Sequence, residues 1–282
     1  MHPAYSIIEN KSKALSAIAV AVVFGFLLLF PLRLLIGDWY SSRVVTMLDD
    51  RTTEERDVVA LTEASLPLYL EAEVILRKAA ELMPLNAQYQ KAVADMDGKL
   101  ARWVEVMGHL KAPVPAVAPA AAGMYEQAGR LLQRAIELDP TNADYHLAMA
   151  QFAREQEQNS TTMDRELKRA AASYPINSNL RLAIAMQYLL AGRTADALEQ
   201  ARTLAAIDDG YIYPASPGKS QIIASRPPWY VARLANSNLC RAYEIAWRAT
   251  NGDAMVIRDM TPNVPEAHHA MALFLEGKGI EE

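Results

Sequence analysis

"RAIELDPTNADYHLAMA", residues 134–150, decides how the rest of the chain is read. A helical run ends at Asp139-Pro140, Asn142 follows, and an Ala-rich helical run begins. Proline disfavours helix for the residue before it and lacks a backbone donor, so it punctuates helices. The same punctuation recurs. Pro84-Leu85-Asn86 follows "EAEVILRKAAELM", and Pro175-Ile176-Asn177 follows "DRELKRAAASY". Pro140 and Pro175 are 35 residues apart, whereas Pro84 and Pro140 are 56 apart. The longer interval contains "KAPVPAVAPAAAG", residues 111–123, a Pro/Ala stretch that reads as a semi-rigid loop inserted into one repeat.

Composition supports helix on helix. Of 282 residues, 51% are hydrophobic and only 7% aromatic, so the apolar mass is Ala, Leu, Val and Met. The net charge of −5 is spread over interspersed acids and bases, with no basic stripe for nucleic acid. A single cysteine, Cys240, excludes an intrachain disulfide framework and a multi-cysteine metal site.

The repeat resembles the tetratricopeptide (TPR) family, a helix-turn-helix unit of about 34 residues. Small residues are needed where helices cross closely. In the family's second helix they flank a large apolar residue before the closing proline. Ala72, Leu76, Ala79 and Pro84 fit, as do Ala128, Leu132, Ala135 and Pro140. Met163, Leu167, Ala170 and Pro175 are a weaker set. The first helices carry a large apolar residue followed by a small one: Val59-Ala60, Val93-Ala94, Met149-Ala150 and Ile184-Ala185. Tyr188, Gly192 and Ala197 continue the last unit. Leu204 and Asp209 depart from the pattern, which places the end of the regular array near residue 208.

The resemblance implies a protein-binding groove lined by first helices. Its positions here are Asp144, Leu147 and Gln151, then Asn179, Leu182 and Met186. The Lys/Asn/Arg set with which co-chaperone members grip a C-terminal carboxylate is missing from these positions.

Before the repeats, Ala14 to Leu32 carries no charge, and Leu34-Leu35-Ile36 continue the run beyond Arg33. About 20 apolar residues span a bilayer core. Arg33 can snorkel from the helix end, and Trp39-Tyr40 suit the interface. The run is longer than a signal-peptide core and no small-x-small cleavage site follows, so it reads as an uncleaved anchor over 14–37. Positive charges nearly balance across it. The Lys11/Lys13 pair and the short tail 1–13 favour an inside N-terminus, hence a bacterial inner-membrane protein with a periplasmic C-terminal domain. Ala17, Ala21 and Gly25 lie on one face of the span, where a partner helix can approach, although an Ala-rich helix also yields that spacing by chance.

The expected organisation is all-α. A single transmembrane helix (14–37) and a juxtamembrane linker (38–52) lead into a TPR-like helical-hairpin solenoid (53–208). An irregular Pro/aromatic loop (209–228) and a C-terminal helical cap (229–282) follow. In the cap, Asp253 starts a short helix, Asn263 precedes the last one, and Gly277 stops it. The stretch 209–230 holds Trp229 and Tyr230, aromatics that serve either as partner contacts or as a cover for the solenoid's end.

The chain's chemistry-bearing residues do not gather into motifs. Gly218-Lys219-Ser220 lacks the upstream glycine of a phosphate loop, since Tyr213 stands there. His268 and His269 are adjacent, so a helix points them about 100° apart. No nucleotide, metal or other cofactor is expected. The expected work is binding rather than catalysis: a membrane-anchored scaffold or accessory subunit in an envelope complex. Alternatives are a periplasmic attendant of secretion or cytochrome maturation, and a factor in exopolysaccharide or O-antigen assembly. An enzyme using the 209–230 loop is the alternative of a different class.

Overall fold

A computed structural model describes residues 66–110, 117–156, 160–208 and 237–280, together with Ile36, Trp39 and Ser42. Ten helices occur among the described residues, and they fall in two compact units divided at Pro140.

The first unit contains α1 (Leu66–Leu82), α2 (Ala87–Leu110) and α3 (Val117–Leu138). Pro84 ends α1, and the Asn86 side chain accepts the backbone N–H of Gln88 at 3.0 Å, so one residue pair both stops a helix and caps the next. Ala72, Leu76 and Ala79 are buried in one cluster with Val93 of α2, and Ala94 beside it is buried too. Ala128, Leu132 and Ala135 on α3 are buried as well.

Here the structure corrects the reading of 111–123. Residues 117–123 are the first turns of α3, and only 111–116 lie between the helices, outside the described residues. Helices α2 and α3 run 24 and 22 residues, against 13 and 14 for the next pair. The extra sequence therefore lengthens one hairpin by about 12–16 Å instead of looping out. Pro119 occupies the first turn of α3, where a backbone N–H has no intrahelical partner to lose, and the alanines after it are the best helix formers.

A buried carboxylate joins α1 to α2. Asp97 is 3% exposed and accepts from Arg77 Nη2 at 3.1 Å, while Arg77 also pairs with Glu73 one turn earlier. Burial, reinforced by the Glu73 charge, pushes the Asp97 pKa from 3.8 up to about 6 against the pull of Arg77. The folded state thus prefers the neutral acid. Its stabilising contribution is complete below 3.8 and is lost as pH rises to about 6. The expected size is on the order of 2–3 kcal/mol. Asp97→Asn should flatten this dependence: urea midpoints of wild type and variant, compared across pH 4–7, should converge at the acid end. Parallel curves would exclude Asp97 as the titrating group.

The second unit holds α4 (Ala143–Glu155), α5 (Ser160–Ser173), α6 (Ser178–Leu190), α7 (Thr194–Ile207), α8 (Asn238–Ala249), α9 (Ala254–Met260) and α10 (Pro265–Gly277). Asn142 caps α4 by accepting from Asp144 N at 3.1 Å, and Asn177 caps α6 by accepting from Leu180 N at 3.0 Å. Helices α4/α5 and α6/α7 pair, while α8 packs chiefly on α7 and touches both α9 and α10. Ala150, Ala170, Ala185, Ala197 and Ala201 are all 0% exposed, which fits the requirement for small residues at close crossings. Met163 and Leu167, the weaker set, are buried in the same core.

Helical packing continues past residue 208. Helix α8 packs on both α6 and α7, as α6 packs on α4 and α5. Asp208, 7% exposed, accepts the backbone N–H of Leu239 at 3.0 Å, and Ser237 accepts that of Cys240 at 3.2 Å. Residues 209–236, including the expected loop and the start of the expected cap, lie outside the described residues. Asp208 and Leu239, on either side of them, are joined by that bond. Asp253 caps α9 as expected, accepting from Met255 N at 2.9 Å. The last helix is capped at Val264 rather than Asn263, and it ends at Gly277 as expected; two residues further on, Gly279 takes φ 77°. Gly279 N–H reaches Glu276 O and Ile280 N–H reaches Leu275 O, a closed C-terminal motif that needs a left-handed residue.

Two polar links tie the helices across the apolar seams. His146 Nδ1 on α4 lies 2.7 Å from Glu166 Oε2 on α5, both almost fully buried. Arg165 Nε (2.7 Å) and Arg169 Nη1 (3.2 Å) donate to the other Glu166 oxygen. Tyr188 at the end of α6 donates to Asp164 Oδ1 at 2.9 Å, and Arg193 reaches the same oxygen at 3.0 Å.

The expected membrane span, 14–37, lies outside the described residues apart from Ile36, which is helical. Among the described residues no helix is long and apolar enough to cross a membrane.

Candidate functional site

The first helices of the second unit, α4, α6 and α8, pack successively side by side. Residues three and four apart on a helix share a face, so Asp144, Leu147 and Gln151 form one row on α4. Asn179, Leu182 and Met186 form the matching row on α6. Asp144 and Gln151 are exposed, and Gln151 Nε2 donates to Glu155 Oε1 at 3.1 Å. Leu147, Leu182 and Met186 are half-buried, with their inner sides against the core. Asn179 is partly engaged: its Oδ1 accepts from Asn238 Nδ2 on α8 at 3.1 Å. Arg154 on α4 donates to Gln187 Oε1 on α6 at 2.9 Å, and Leu190 at the end of α6 is 58% exposed. The surface is mixed: half-buried apolar side chains between hydrogen-bonding groups, with acids and one arginine at its ends.

Sequence reasoning missed the third row. The large-small pair that marks first helices recurs as Ile245-Ala246, both buried. Counting from this pair, Tyr243 takes the place of Leu147 and Leu182, and Trp247 that of Gln151 and Met186. The signal was available. It was hidden because 61 residues separate Ile184 from Ile245, nearly twice the repeat.

Trp247 and its neighbours form a compact aromatic group. Trp247 and Phe274 of α10 meet edge to face at 6.1 Å, and Tyr243 and Phe274 meet at 5.6 Å. Gly252, with φ 91°, lies against the indole: a Cβ there would come within 3.1 Å of Trp247 Cζ2. Lys278, just past the end of α10, places its ammonium 5.2 Å from the Phe274 ring centre and 6.0 Å from that of Trp247. The same ammonium is 2.7 Å from Glu244 Oε2, and Arg248 Nε takes the other Glu244 oxygen at 2.7 Å. Burial opposes the Glu244 charge, but these two cations outweigh it and hold the carboxyl below the ordinary glutamate range.

Trp229 and Tyr230, and the Ala17, Ala21 and Gly25 face, lie outside the described residues. Cys240 is buried, and burial pushes its thiol pKa up, away from reactivity.

No family model matches the chain, and no curated protein does. Solved structures with a related arrangement include YrrB, described as a TPR protein with an unusual peptide-binding site. It is 17% identical, with 73% of this chain and 85% of that one covered, at a TM-score of 0.35. MamA is 13% identical over 79% of this chain and 97% of that one, at a TM-score of 0.39. A thermophilic TPR protein from Thermus thermophilus is 20% identical over 60% of this chain and 82% of that one, at 0.41. Likenesses of this size carry no weight of their own. The helical-hairpin repeat stands on the chain's own paired helices, Pro-x-Asn caps and buried alanine crossings.

Proposed function

We propose that the chain is a protein-binding scaffold whose partner lies across the α4, α6 and α8 face. The observation that carries this reading is the face shared by α4 and α6, which mixes half-buried Leu147, Leu182 and Met186 with exposed Asp144, Gln151 and Asn179, and which half-buried Trp247 continues on α8. Such a mixture suits a peptide or protein surface: apolar contacts supply area, and a few polar groups fix register. The partner is another membrane or envelope protein. Residues 14–37 anchor the chain in a bacterial inner membrane, with the repeats on the periplasmic side. The apolar length of that segment and the Lys11/Lys13 pair support this placement.

The test is affinity purification of the full-length chain from native membranes, with mass spectrometry of what accompanies it. Leu182→Glu with Met186→Glu places charges on half-buried face positions. The pair should cut partner recovery at least tenfold while helical circular dichroism stays unchanged. Undiminished recovery would exclude this face. A reporter active only in the cytoplasm, fused to the C-terminus, should be silent, and activity would reverse the orientation.

A further inference from the structure

We infer that Glu244, Trp247 and Phe274 form a binding site for a primary alkylammonium group, now occupied by the chain's own Lys278. The inference deepens the reading of the α4, α6 and α8 face, because Trp247 holds on α8 the register position of Gln151 and Met186. A partner lying along that face passes over this site. Three groups converge on one cation there: a carboxylate oxygen at 2.7 Å and two aromatic rings at 5.2 and 6.0 Å. Rings within about 6 Å attract a cation through their quadrupole, and a carboxylate supplies the opposite charge. The rings are fixed in place, Trp247 against Gly252 and Phe274 between Trp247 and Tyr243.

The occupant is held less firmly than the site. Lys278 follows the last helical residue and precedes Gly279, so it leaves without breaking a helix. Partly exposed ion pairs and cation–ring contacts contribute little each, which makes exchange inexpensive. Arg248 and Lys278 already take one Glu244 oxygen each, so two cations share a single negative charge and the site has no room for a third. An incoming lysine side chain or N-terminal amine therefore displaces Lys278 instead of joining it. The C-terminal tail acts as a built-in competitor for a lysine-bearing or free-amine partner segment.

The experiment uses the full-length chain in detergent, labelled with 5-fluorotryptophan, with the Trp247 resonance identified through Trp247→Phe. N-acetyl-lysine methylamide and alanine methylamide serve as probes, the first for a side-chain amine and the second for a terminal amine. In Lys278→Ala, one of them should shift the Trp247 resonance saturably, at a concentration at least fivefold below that needed in wild type. The Nε-acetylated lysine probe should not shift it, and Glu244→Gln in the Lys278→Ala background should abolish the response. Lys278→Met keeps an apolar stem on the rings and serves if Lys278→Ala alters the helical signal. An unmoved Trp247 resonance in the emptied site, or an equal response to the acetylated probe, overturns the assignment. Because no partner is present, the result is independent of the pull-down from membranes.

Discussion

Ala150→Arg should destabilise the second unit by about 4 kcal/mol or more. Ala150 is 0% exposed in the shared core of α4 to α10, next to Met149. An arginine there overpacks the crossing, which alone costs about 1–3 kcal/mol, and it buries a charge with no partner. Gln151→Arg, one residue on and exposed, should shift stability by no more than about 0.5 kcal/mol. Thermal melts followed by circular dichroism compare the two. Equal melting would mean that the large-small pair does not mark a helix crossing, and the whole register would fall with it.

Glu166→Ala should cost about 2–4 kcal/mol, because it leaves the buried His146 ring without its carboxylate partner and opens space beside it. The loss should also depend on pH. Burial works against the Glu166 charge, but hydrogen bonds from Arg165 and His146 and the charge of Arg169 outweigh it and hold the carboxyl below its ordinary 4.5. A lowered acid pKa means that the folded state favours the charged form. That contribution is complete above 4.5 and is lost as pH falls through the folded value. The gap between wild type and variant should therefore narrow at the acid end of a urea-unfolding series. A constant gap would show that Glu166 acts only by filling space. The sign is opposite to that of Asp97, whose contribution grows as pH falls.

The fold was legible wherever local chemistry and packing agree. Pro84, Pro140 and Pro175 stop helices by sterics, and Asn86, Asn142 and Asn177 restart them by capping, so three boundaries could be placed from six residues. Alanine spacing then located the crossings. The reading went astray over 111–123, because proline was weighed without its position: Pro119 in a first turn begins a helix as readily as it ends one. The packing of α8 on α6 and α7 escaped because a repeat search depends on spacing, and 61 residues separate Ile184 from Ile245. For the candidate site, the rows on α4 and α6 followed from register alone. The Glu244, Trp247, Phe274 and Lys278 group did not, since α10 and the residues past its end come next to α8 only through tertiary packing, which no local pattern encodes.

The Asp208–Leu239 bond separates two kinds of inheritance. Twenty-eight residues leave and return at a single hydrogen-bonded point, between helices that pack on each other directly. The register of α8 against α6 and α7 therefore rests on contacts made by residues on either side of that stretch. Selection on that packing acts on the helices and on Asp208 and Leu239, not on the spacing between them.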